Sequence, residues 1–451
     1  MNDRLGYVLV ALVLLAVVPQ ASNPPVWWLL VSLLIAIIGA WHLLRGAFLV
    51  PERPLQAMQH RTLLMLILTI PFVALVQALP VAQVLPAALS SLPVDIGTQP
   101  STLSLVPMGS LAGAVRVLAY VLFFVLVLEV AGQGARAERL GWILFFGIGL
   151  HAFWALIALN ALDDFTPWGE KTGSIGSATG FFLNRNSFAT FLSFGLVLGL
   201  ALLIERARAP RIRASRGRTL TSPENLEMAA IGGLCLVMLI TIFATQSRLG
   251  LTATFAGLAV TLGALQLKAG VRAMTVALQG GIALVVLLVL GVAAGGTGVI
   301  ERAIFLVGAM EIRLAIYAQA VQMIAERPFL GWGLDAFTPA YEMTRIPGIR
   351  TDRVVMLAHS SYLTNWLELG LVFGSVTILC GAMVAVGLVR RLMQRKTHIA
   401  MPAAALGVLV VAAVHSTMDF SLEIPANTLA FLAIVGLGLA RRRRADRSAD
   451  S

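Results

Sequence analysis

The hydrophobic and polar positions divide the chain into long apolar segments separated by mostly short polar connections. A membrane-spanning helix needs about 20 mainly apolar residues, and about twelve segments come close to this length. The predicted spans are Leu5–Ala21, Val26–Leu44, Thr62–Ala82, Leu111–Ala131, Leu140–Leu162, Asn186–Ile204, Leu226–Thr245, Leu249–Leu267, Met274–Ala294, Ser361–Val389, Met401–Met418 and Ile424–Ala440. We therefore predict an all-α, polytopic membrane protein of about twelve transmembrane helices.

Arginines and lysines cluster in every second connection between these spans. The basic connections are Arg45–Arg61, Arg136–Arg139, Arg206–Arg218, Lys268–Arg272, Arg390–Lys396 and Arg441–Arg447. Basic loops stay in the cytoplasm during membrane insertion. The alternation therefore predicts that both termini are cytoplasmic and that the other connections face the extracytoplasmic side.

The composition agrees with a membrane protein. Of the 451 residues, 58% are hydrophobic and 12% are charged, whereas soluble domains are about 45–50% apolar and about 25% charged. The net charge of +11 follows from the basic loops, which also attract lipid headgroups. We expect membrane lipids, and no nucleic acid, as partners.

The two cysteines and the first apolar stretch are interpreted as parts of membrane spans, rather than as a disulfide or metal site and a signal peptide. Cys235 and Cys380 lie within apolar segments and lack the spacing of a disulfide framework or a metal site. The stretch Leu5–Val18 is as short as a signal peptide, but no small-residue cleavage site follows it. We predict no metal ion and no cofactor, since carboxylate clusters and phosphate-binding glycine loops are also missing from the sequence.

Two extracytoplasmic connections are long. Val84–Ser110 contains four prolines and no basic residue, which favours an irregular lid or crossing loop. Gly295–His359 contains a segment, Val299–Ala325, whose apolar residues recur at helical spacing. The predicted apolar stripe of this amphipathic helix consists of Ile304, Val307, Ile312, Ala315, Ile316, Ala320 and Met323, with Arg302, Glu311, Arg313, Gln319 and Gln322 mostly off it.

Polar residues gather at the predicted extracytoplasmic ends of the spans. Asn184, Arg185 and Asn186 open the sixth span, where Asn186 or Ser187 would cap a helix whose N-terminus attracts anions. Arg248 lies in a tight turn between two apolar spans and would bind phosphate or anchor the helix in headgroups.

Three further positions each allow a functional and a structural interpretation. Arg313 and Tyr317 on the amphipathic helix would contact a ligand or form a solvated face. His359 has an ordinary pKa near 6.5 and would act as a base or simply pack at a helix start. His415 and Asp419 are four residues apart, so they would pair as a base and its orienter, or as a structural pair closing the last hairpin.

In this order the motifs resemble the family of O-antigen ligases and Wzy-type polysaccharide polymerases. The resemblance covers roughly residues 180–427. It rests on Phe182–Asn186, Ser247–Gly250, Arg313, Glu326–Phe337 and His359–Gly370. Many members have Asn directly after the histidine, where this chain has Ser360.

The resemblance implies a bacterial inner-membrane glycosyltransferase of the GT-C type. Such an enzyme takes a glycan from undecaprenyl diphosphate on the periplasmic face and joins it to an acceptor hydroxyl, without a metal and with inversion. His359 would be the base, and Arg248, Arg313 and Arg185 would bind the diphosphate. Asn184, Asn186, Tyr317, His415 and Asp419 would bind substrate or support the site, and Glu368 would be structural.

The same resemblance suggests a division of the chain. Residues 1–180 would form N-terminal helices, 181–427 the ligase-like core with a periplasmic loop at 295–359, and 428–451 the last helix and a basic tail. The acceptor would be lipid A–core for a ligase, or another lipid-linked glycan for a polymerase.

Two other functions stay open. A transporter or flippase would place polar residues at mid-membrane, for which Pro71, Arg116 and Glu129 are the candidates. A cell-wall polymerase of the SEDS type would depend on an external aspartate rather than on His359.

Overall fold

The computed structural model describes residues 2–49, 56–86, 101–208, 222–279, 281, 299–345 and 354–441. These residues form helices joined by turns, and none of them is in a strand. The helices are α1 Asn2–Leu15, α2 Pro25–Leu49, α3 Arg61–Ala78, α4 Pro107–Val130, α5 Gly134–Asn160, α6 Arg185–Ala207, α7 Pro223–Ala244, α8 Arg248–Lys268, α9 Val299–Glu326, α10 Phe337–Met343, α11 Ser361–Gly374, α12 Val376–Gln394, α13 Ala400–His415 and α14 Pro425–Leu439. Short 3₁₀ turns occur at Gln20–Ser22, Gln56–His60, Ala82–Val84 and Ser421–Glu423.

Eight helices in the described part of the chain are long and apolar enough to cross a membrane. They are α2 to α8 and α12, and the protein is accordingly a membrane protein. The apolar helices α13 and α14 are shorter, with bounds close to the two last predicted spans. The first predicted span ends early, at Leu15, before a turn with positive φ angles. Most of the predicted span Met274–Ala294 lies outside the described residues.

The prediction of one continuous span at Ser361–Val389 was wrong. The segment forms α11, a break at Ser375, and α12, which continues to Gln394. Within α11, Gly370 has φ 76° and ψ 168°, a conformation that strongly favours glycine. The polar start of the segment therefore belongs to a short helix, and the membrane-length helix begins only at Val376.

Helix α6 lies at the centre of the bundle. Of its most apolar stretch, 83% is buried inside the protein, compared with 22% for α7. Small residues allow close approach of its neighbours α8 and α13: a Cβ atom on Gly407 would lie 2.6 Å from the Gly257 carbonyl oxygen. Membrane helices commonly associate through such small residues, because dispersion forces act at short range.

A second close approach joins the turn 328–333 to α11; we call it the glycine interlock. Trp332 N donates to Leu367 O at 2.9 Å, Gly333 N to Glu368 O at 3.0 Å, and Leu371 N to Pro328 O at 2.7 Å. A Cβ on Gly331 would lie 2.4 Å from Glu368 O, and one on Gly370 would lie 2.3 Å from Phe329 O. Two of the motifs, Glu326–Phe337 and His359–Gly370, are thus joined through their backbones.

Gln77 and Glu368 strengthen the interlock. Gln77, near the end of α3, donates through Nε2 to Leu330 O at 2.6 Å and to Glu368 O at 2.9 Å. The Glu368 carboxylate accepts from Phe337 N at 3.1 Å. These contacts fit the structural role expected for Glu368. They also place the end of α3 beside α11, at the end of the bundle that we call the α9 end.

The amphipathic helix predicted at Val299–Ala325 is present as α9, one residue longer. Ile316, Ala320 and Met323 are buried as predicted, whereas Ile312 is 48% exposed. Gln319 was placed off the apolar face, but it is 1% exposed and donates to Tyr341 O at 3.1 Å. A buried amide is tolerated there because it has a carbonyl partner. The side chains of Ile304 and Val307 lie outside the described residues.

The residues that would have supported transport have structural contacts. Arg116 on α4 forms an ion pair with Asp335 at 2.5 Å and lies over the Trp28 ring, 5.1 Å from its centroid. Glu129 accepts from Ala57 N at 3.3 Å. Pro71 lies inside the continuous helix α3. These contacts give Arg116 and Glu129 a structural explanation, so neither residue by itself indicates transport.

Candidate functional site

A cluster of ionisable and polar side chains lies at the α9 end, where α6, α8, α9, α11 and the α13–α14 connection meet. We call it the His359 cluster, after the residue in the segment leading into α11. Its members are Asn186, Ser247, Arg313, Tyr317, His359, His415, Asp419 and Ser421. Residues from widely separated motifs of the sequence therefore share one region.

His359 is held by contacts from two sides. Its backbone has φ 54°, a left-handed conformation that histidine tolerates better than most residues. The Tyr317 hydroxyl donates to the His359 carbonyl oxygen at 2.9 Å, and the imidazole packs on Phe420 with 5.3 Å between ring centroids. Its Nδ1 is buried and has no hydrogen-bond partner among the described residues. The side chain is thus held in place by Tyr317 and Phe420, and its Nδ1 faces the interior of the protein.

The surroundings favour a neutral imidazole at His359. Burial lowers the pKa of His359 below its ordinary value, and the positive charge of Arg313 lowers it further, while Asp419 opposes the shift. Desolvation and a like charge both disfavour the protonated form. A neutral ring at neutral pH can accept a proton, which is what a general base requires.

Asp419 and His415 form a fully buried pair. His415 Nδ1 lies 3.3 Å from Asp419 Oδ2, and the two side chains are 1% and 0% exposed. The Ser421 hydroxyl donates to the same carboxylate, and Asn186 Nδ2 donates to Asp419 Oδ1 at 3.2 Å. Burial alone would raise the pKa of Asp419, but these hydrogen bonds outweigh it and the pKa is lowered. The carboxylate therefore stays ionised close to His359.

Asn186 connects Asp419 to α8. Its Oδ1 accepts from the Ser247 hydroxyl at 2.8 Å, and Ser247 caps α8 by accepting from Gly250 N at 3.1 Å. The predicted cap of α6 by Asn186 or Ser187 was wrong: Asn184 is the cap and accepts from Asn186 N at 2.7 Å. The Asn186 side chain is consequently free to bridge α8 and the α13–α14 connection.

The three arginines differ in their surroundings. Arg313 is half-buried on α9 and close enough to His359 to affect its pKa. Arg248 is the first residue of α8, directly after Ser247. It is exposed and makes no side-chain hydrogen bond or ion pair with any residue that the structure describes. Arg185 is directed to the preceding loop, with Nη1 3.4 Å from Ser177 Oγ. Arg313 is thus the arginine that lies close to His359, and Arg248 is an exposed cation that directly follows Ser247.

The sequence reasoning missed two neighbours of this cluster. Phe420 packs on the His359 ring, and Glu423 accepts from Ser361 Oγ at 2.8 Å. Burial raises the pKa of Glu423 to about 7, so this carboxyl group titrates near neutral pH beside the start of α11. Both residues follow the predicted pair His415 and Asp419 closely in the sequence, but only tertiary contacts show that Phe420 meets His359 and that Glu423 meets Ser361.

Among the described residues, no three His, Cys, Asp or Glu side chains are grouped as a metal site would require. The His359 cluster instead combines the His359 imidazole, the buried ionised Asp419 carboxylate and Arg313 on α9, and Arg248 follows the cluster residue Ser247 at the start of α8. This arrangement can accept a proton next to a bound anion.

Comparison with known proteins agrees with the motifs. A sequence model of the O-antigen ligase family, Wzy_C, matches residues 233–378. The match includes Arg248, Arg313, His359 and both segments of the glycine interlock. No curated protein sequence matches the chain. The chain is therefore similar to the O-antigen ligase family, Wzy_C, over residues 233–378.

Proposed function

We propose that the protein is a glycosyltransferase that moves a glycan from undecaprenyl diphosphate to an acceptor hydroxyl on the periplasmic face of the bacterial inner membrane. The observation that carries this proposal is His359 itself. Its lowered pKa and unpartnered Nδ1 occur beside Arg313, within the segment that matches the O-antigen ligase family.

In the proposed reaction, the acceptor oxygen attacks the anomeric carbon of the donor and the His359 imidazole takes the hydroxyl proton. The new glycosidic bond forms as the bond from the anomeric carbon to the phosphate oxygen breaks. The diphosphate leaves with the bonding electrons. A single displacement of this kind inverts the configuration at the anomeric carbon.

The arginines would stabilise the leaving diphosphate. Guanidinium groups bind phosphate oxygens with two parallel hydrogen bonds, and Arg313 and Arg248 are the cations that we assign to this task. Arg185 would assist from the start of α6. We propose that these charges take the role that a metal ion has in other transferases.

The remaining residues of the cluster would position the base. Ionised Asp419 favours the imidazolium that forms when His359 accepts the proton. His415, Asn186 and Ser421 hold Asp419 in place, while Tyr317 fixes the His359 backbone. Asn184 acts indirectly. It caps α6, which leaves the Asn186 side chain free to contact Asp419.

The proposed orientation rests on the basic residues. Arg390 and Arg391 near the end of α12, and Arg441 beyond α14, lie at the opposite end of the bundle from His359. Basic segments stay cytoplasmic, which supports a periplasmic site and cytoplasmic termini.

The test is a reconstituted transfer reaction. Purified protein in liposomes receives a labelled undecaprenyl-diphosphate oligosaccharide together with lipid A–core or a second lipid-linked glycan, with and without a chelator. A ladder of products identifies a polymerase, and one transfer to lipid A–core identifies a ligase. Lack of transfer to either acceptor by folded protein would contradict the proposal, as would full activity of His359→Ala.

A further inference from the structure

A cavity of about 610 Å³ lies at the end of the bundle opposite the His359 cluster. It is formed by the start of α3, the last turns of α12 and the residues that end α14. The start of α3 lies beside the end of α4, since Glu129 accepts from Ala57 N, while the other end of α3 contacts the interlock. The volume is within the range of about 300–1,000 Å³ typical of small-molecule sites.

The cavity carries positive charge and no compensating carboxylate. Arg390, Arg391 and Arg441 line it, and none of its described lining residues is Asp or Glu. Arg391 is fixed by donation to Leu439 O at 3.0 Å and to Gln394 Oε1 at 3.3 Å. Arg390 and Arg441 are exposed and form no hydrogen bond or ion pair with the residues that the structure describes. Three neighbouring guanidinium groups repel one another, so an anion between them relieves the repulsion.

The other wall of the cavity is apolar and belongs to membrane-length helices. Leu63 on α3 and Met383 and Val386 on α12 extend the lining along the helix axes, away from the arginines. Val386 is 51% exposed, so this wall is open at the outer surface of α12. Phosphate-binding groups at one end and an open apolar wall at the other match a molecule with an anionic head and a hydrocarbon tail.

We propose that this cavity binds an anionic phospholipid of the leaflet opposite the His359 cluster. The phosphodiester head would lie among Arg390, Arg391 and Arg441, and an acyl chain would follow Met383 and Val386. Basic pockets between membrane helices bind phospholipid headgroups in this way. Under the proposed orientation the lipid belongs to the cytoplasmic leaflet, but the site itself does not depend on the transferase activity.

A bound lipid would contact α12, which is separated from α11 by the single residue Ser375. His359 lies two positions before the start of α11, so α12 is close in sequence to the His359 cluster.

A ligand that binds only the folded state stabilises it in proportion to the logarithm of its concentration. We therefore expect the melting temperature to rise when anionic lipid is added to protein purified in neutral detergent.

The test compares two double variants with the same loss of charge. Arg390→Gln/Arg441→Gln removes the exposed cavity cations. Arg139→Gln/Arg272→Gln removes two exposed arginines outside the cavity lining, at the start of α5 and just after α8. Phosphatidylglycerol is titrated onto delipidated protein, and bound lipid is counted by native mass spectrometry. We expect about a 30-fold weaker affinity in the cavity variant and little change in the control.

Two further arms identify the ligand. Phosphatidylcholine, with the same chains but no net charge, should bind weakly to the wild type and equally to all variants. Glycerol 1-phosphate should not displace phosphatidylglycerol. Equal phosphatidylglycerol binding by the two double variants would overturn the proposal, and efficient displacement by glycerol 1-phosphate would show a site for soluble phosphates instead. Size-exclusion profiles and melting temperatures in detergent without lipid verify that each variant is folded.

Discussion

Two regions at the α9 end are built from neighbouring motifs but differ in how their polar groups are satisfied. In the glycine interlock, backbone N–H groups of Trp332, Gly333 and Leu371 all find carbonyl partners at 2.7–3.0 Å, and there is no space for an added methyl group. In the His359 cluster, by contrast, two buried ring nitrogens, His359 Nδ1 and His415 Nε2, have no partner among the described residues.

Buried polar atoms without partners are costly, so they persist where another requirement keeps them. The interlock has the properties of a rigid support. The His359 cluster is the region that we propose as the substrate site. Substitutions in the two regions should accordingly separate stability from activity.

The largest effect is expected from His359→Ala. A positioned general base contributes about 10²- to 10⁴-fold to a rate, so glycan transfer should fall by that factor. The melting temperature should stay within a degree or two of the wild type, since the variant removes a half-buried ring with an unpartnered nitrogen. Transfer is measured with the reconstituted assay and stability by thermal unfolding in detergent.

His42→Ala is the matched control for this change, because it removes an imidazole from α2 outside the cluster. It should leave transfer unchanged. A similar loss of activity in both variants, or a large loss of stability in His359→Ala, would contradict the proposed difference between the His359 cluster and the glycine interlock.

Gly370→Ala should behave in the opposite way to His359→Ala, with a loss of stability and little loss of activity. The new Cβ would lie 2.3 Å from Phe329 O, at a residue with φ 76°. Strained backbone and overpacking each cost about 1–3 kcal/mol, so the unfolding free energy should fall by about 3 kcal/mol. The remaining folded protein should keep most of its activity per molecule.

Gly232→Ala supplies the comparison for this glycine. No heavy atom lies within 4 Å of an added Cβ there, and the residue is in α7. Alanine is the better helix former, so stability should be unchanged or slightly higher. If Gly232→Ala destabilised as much as Gly370→Ala, the interlock would have no special role.

The sequence predicted the class of the fold, and which polar residues lie together, better than it predicted the helix break and the hydrogen bonds. Long apolar segments have their own helical signal, which is why α2 to α8 were found with small errors at the ends. The break inside Ser361–Val389 was missed because the segment is apolar over most of its length, including the residues on both sides of Ser375. The conformation of Gly370 is set by a distant partner, the Phe329 carbonyl, which no local pattern contains.

The site shows the same limit. Arg313, Tyr317, His359 and Asp419 were predicted separately from their chemistry, and the structure brings them into one cluster. The detailed hydrogen bonding was not predictable. Asn184 and Asn186 are equally good capping residues in sequence, and only the contacts of Asn186 with Ser247 and Asp419 distinguish them.

A smaller effect should follow from Arg248→Gln. If Arg248 binds the diphosphate, its loss removes a charge-assisted hydrogen bond worth about 1.5–3 kcal/mol. The KM for the lipid-linked donor should then rise roughly 10- to 100-fold, with the acceptor KM unchanged. Arg139→Gln, at an exposed position on the start of α5, should change neither constant. An unchanged donor KM in Arg248→Gln would assign this arginine to headgroup anchoring instead.

The smallest and most discriminating effect concerns pH. The proposed base is active when neutral, so the acidic limb of kcat/KM should follow the pKa of His359, which burial and Arg313 hold below its ordinary value. Arg313→Gln removes a positive neighbour, so the pKa rises and the limb moves to higher pH. Asp419→Asn removes a negative neighbour, so the pKa falls and the limb moves to lower pH.

The two shifts in the pKa of His359 have opposite signs, so the acidic limbs of the two pH profiles should move apart. General damage to the site would instead lower kcat/KM without separating the limbs. The profiles of both variants are measured against the wild type at low donor concentration, where kcat/KM reports the free enzyme. Limbs that coincide, or that move in the same direction, would mean that a group other than His359 accepts the proton. Glu423, which titrates at about 7 because of its burial, would then be the next residue to substitute, as Glu423→Gln.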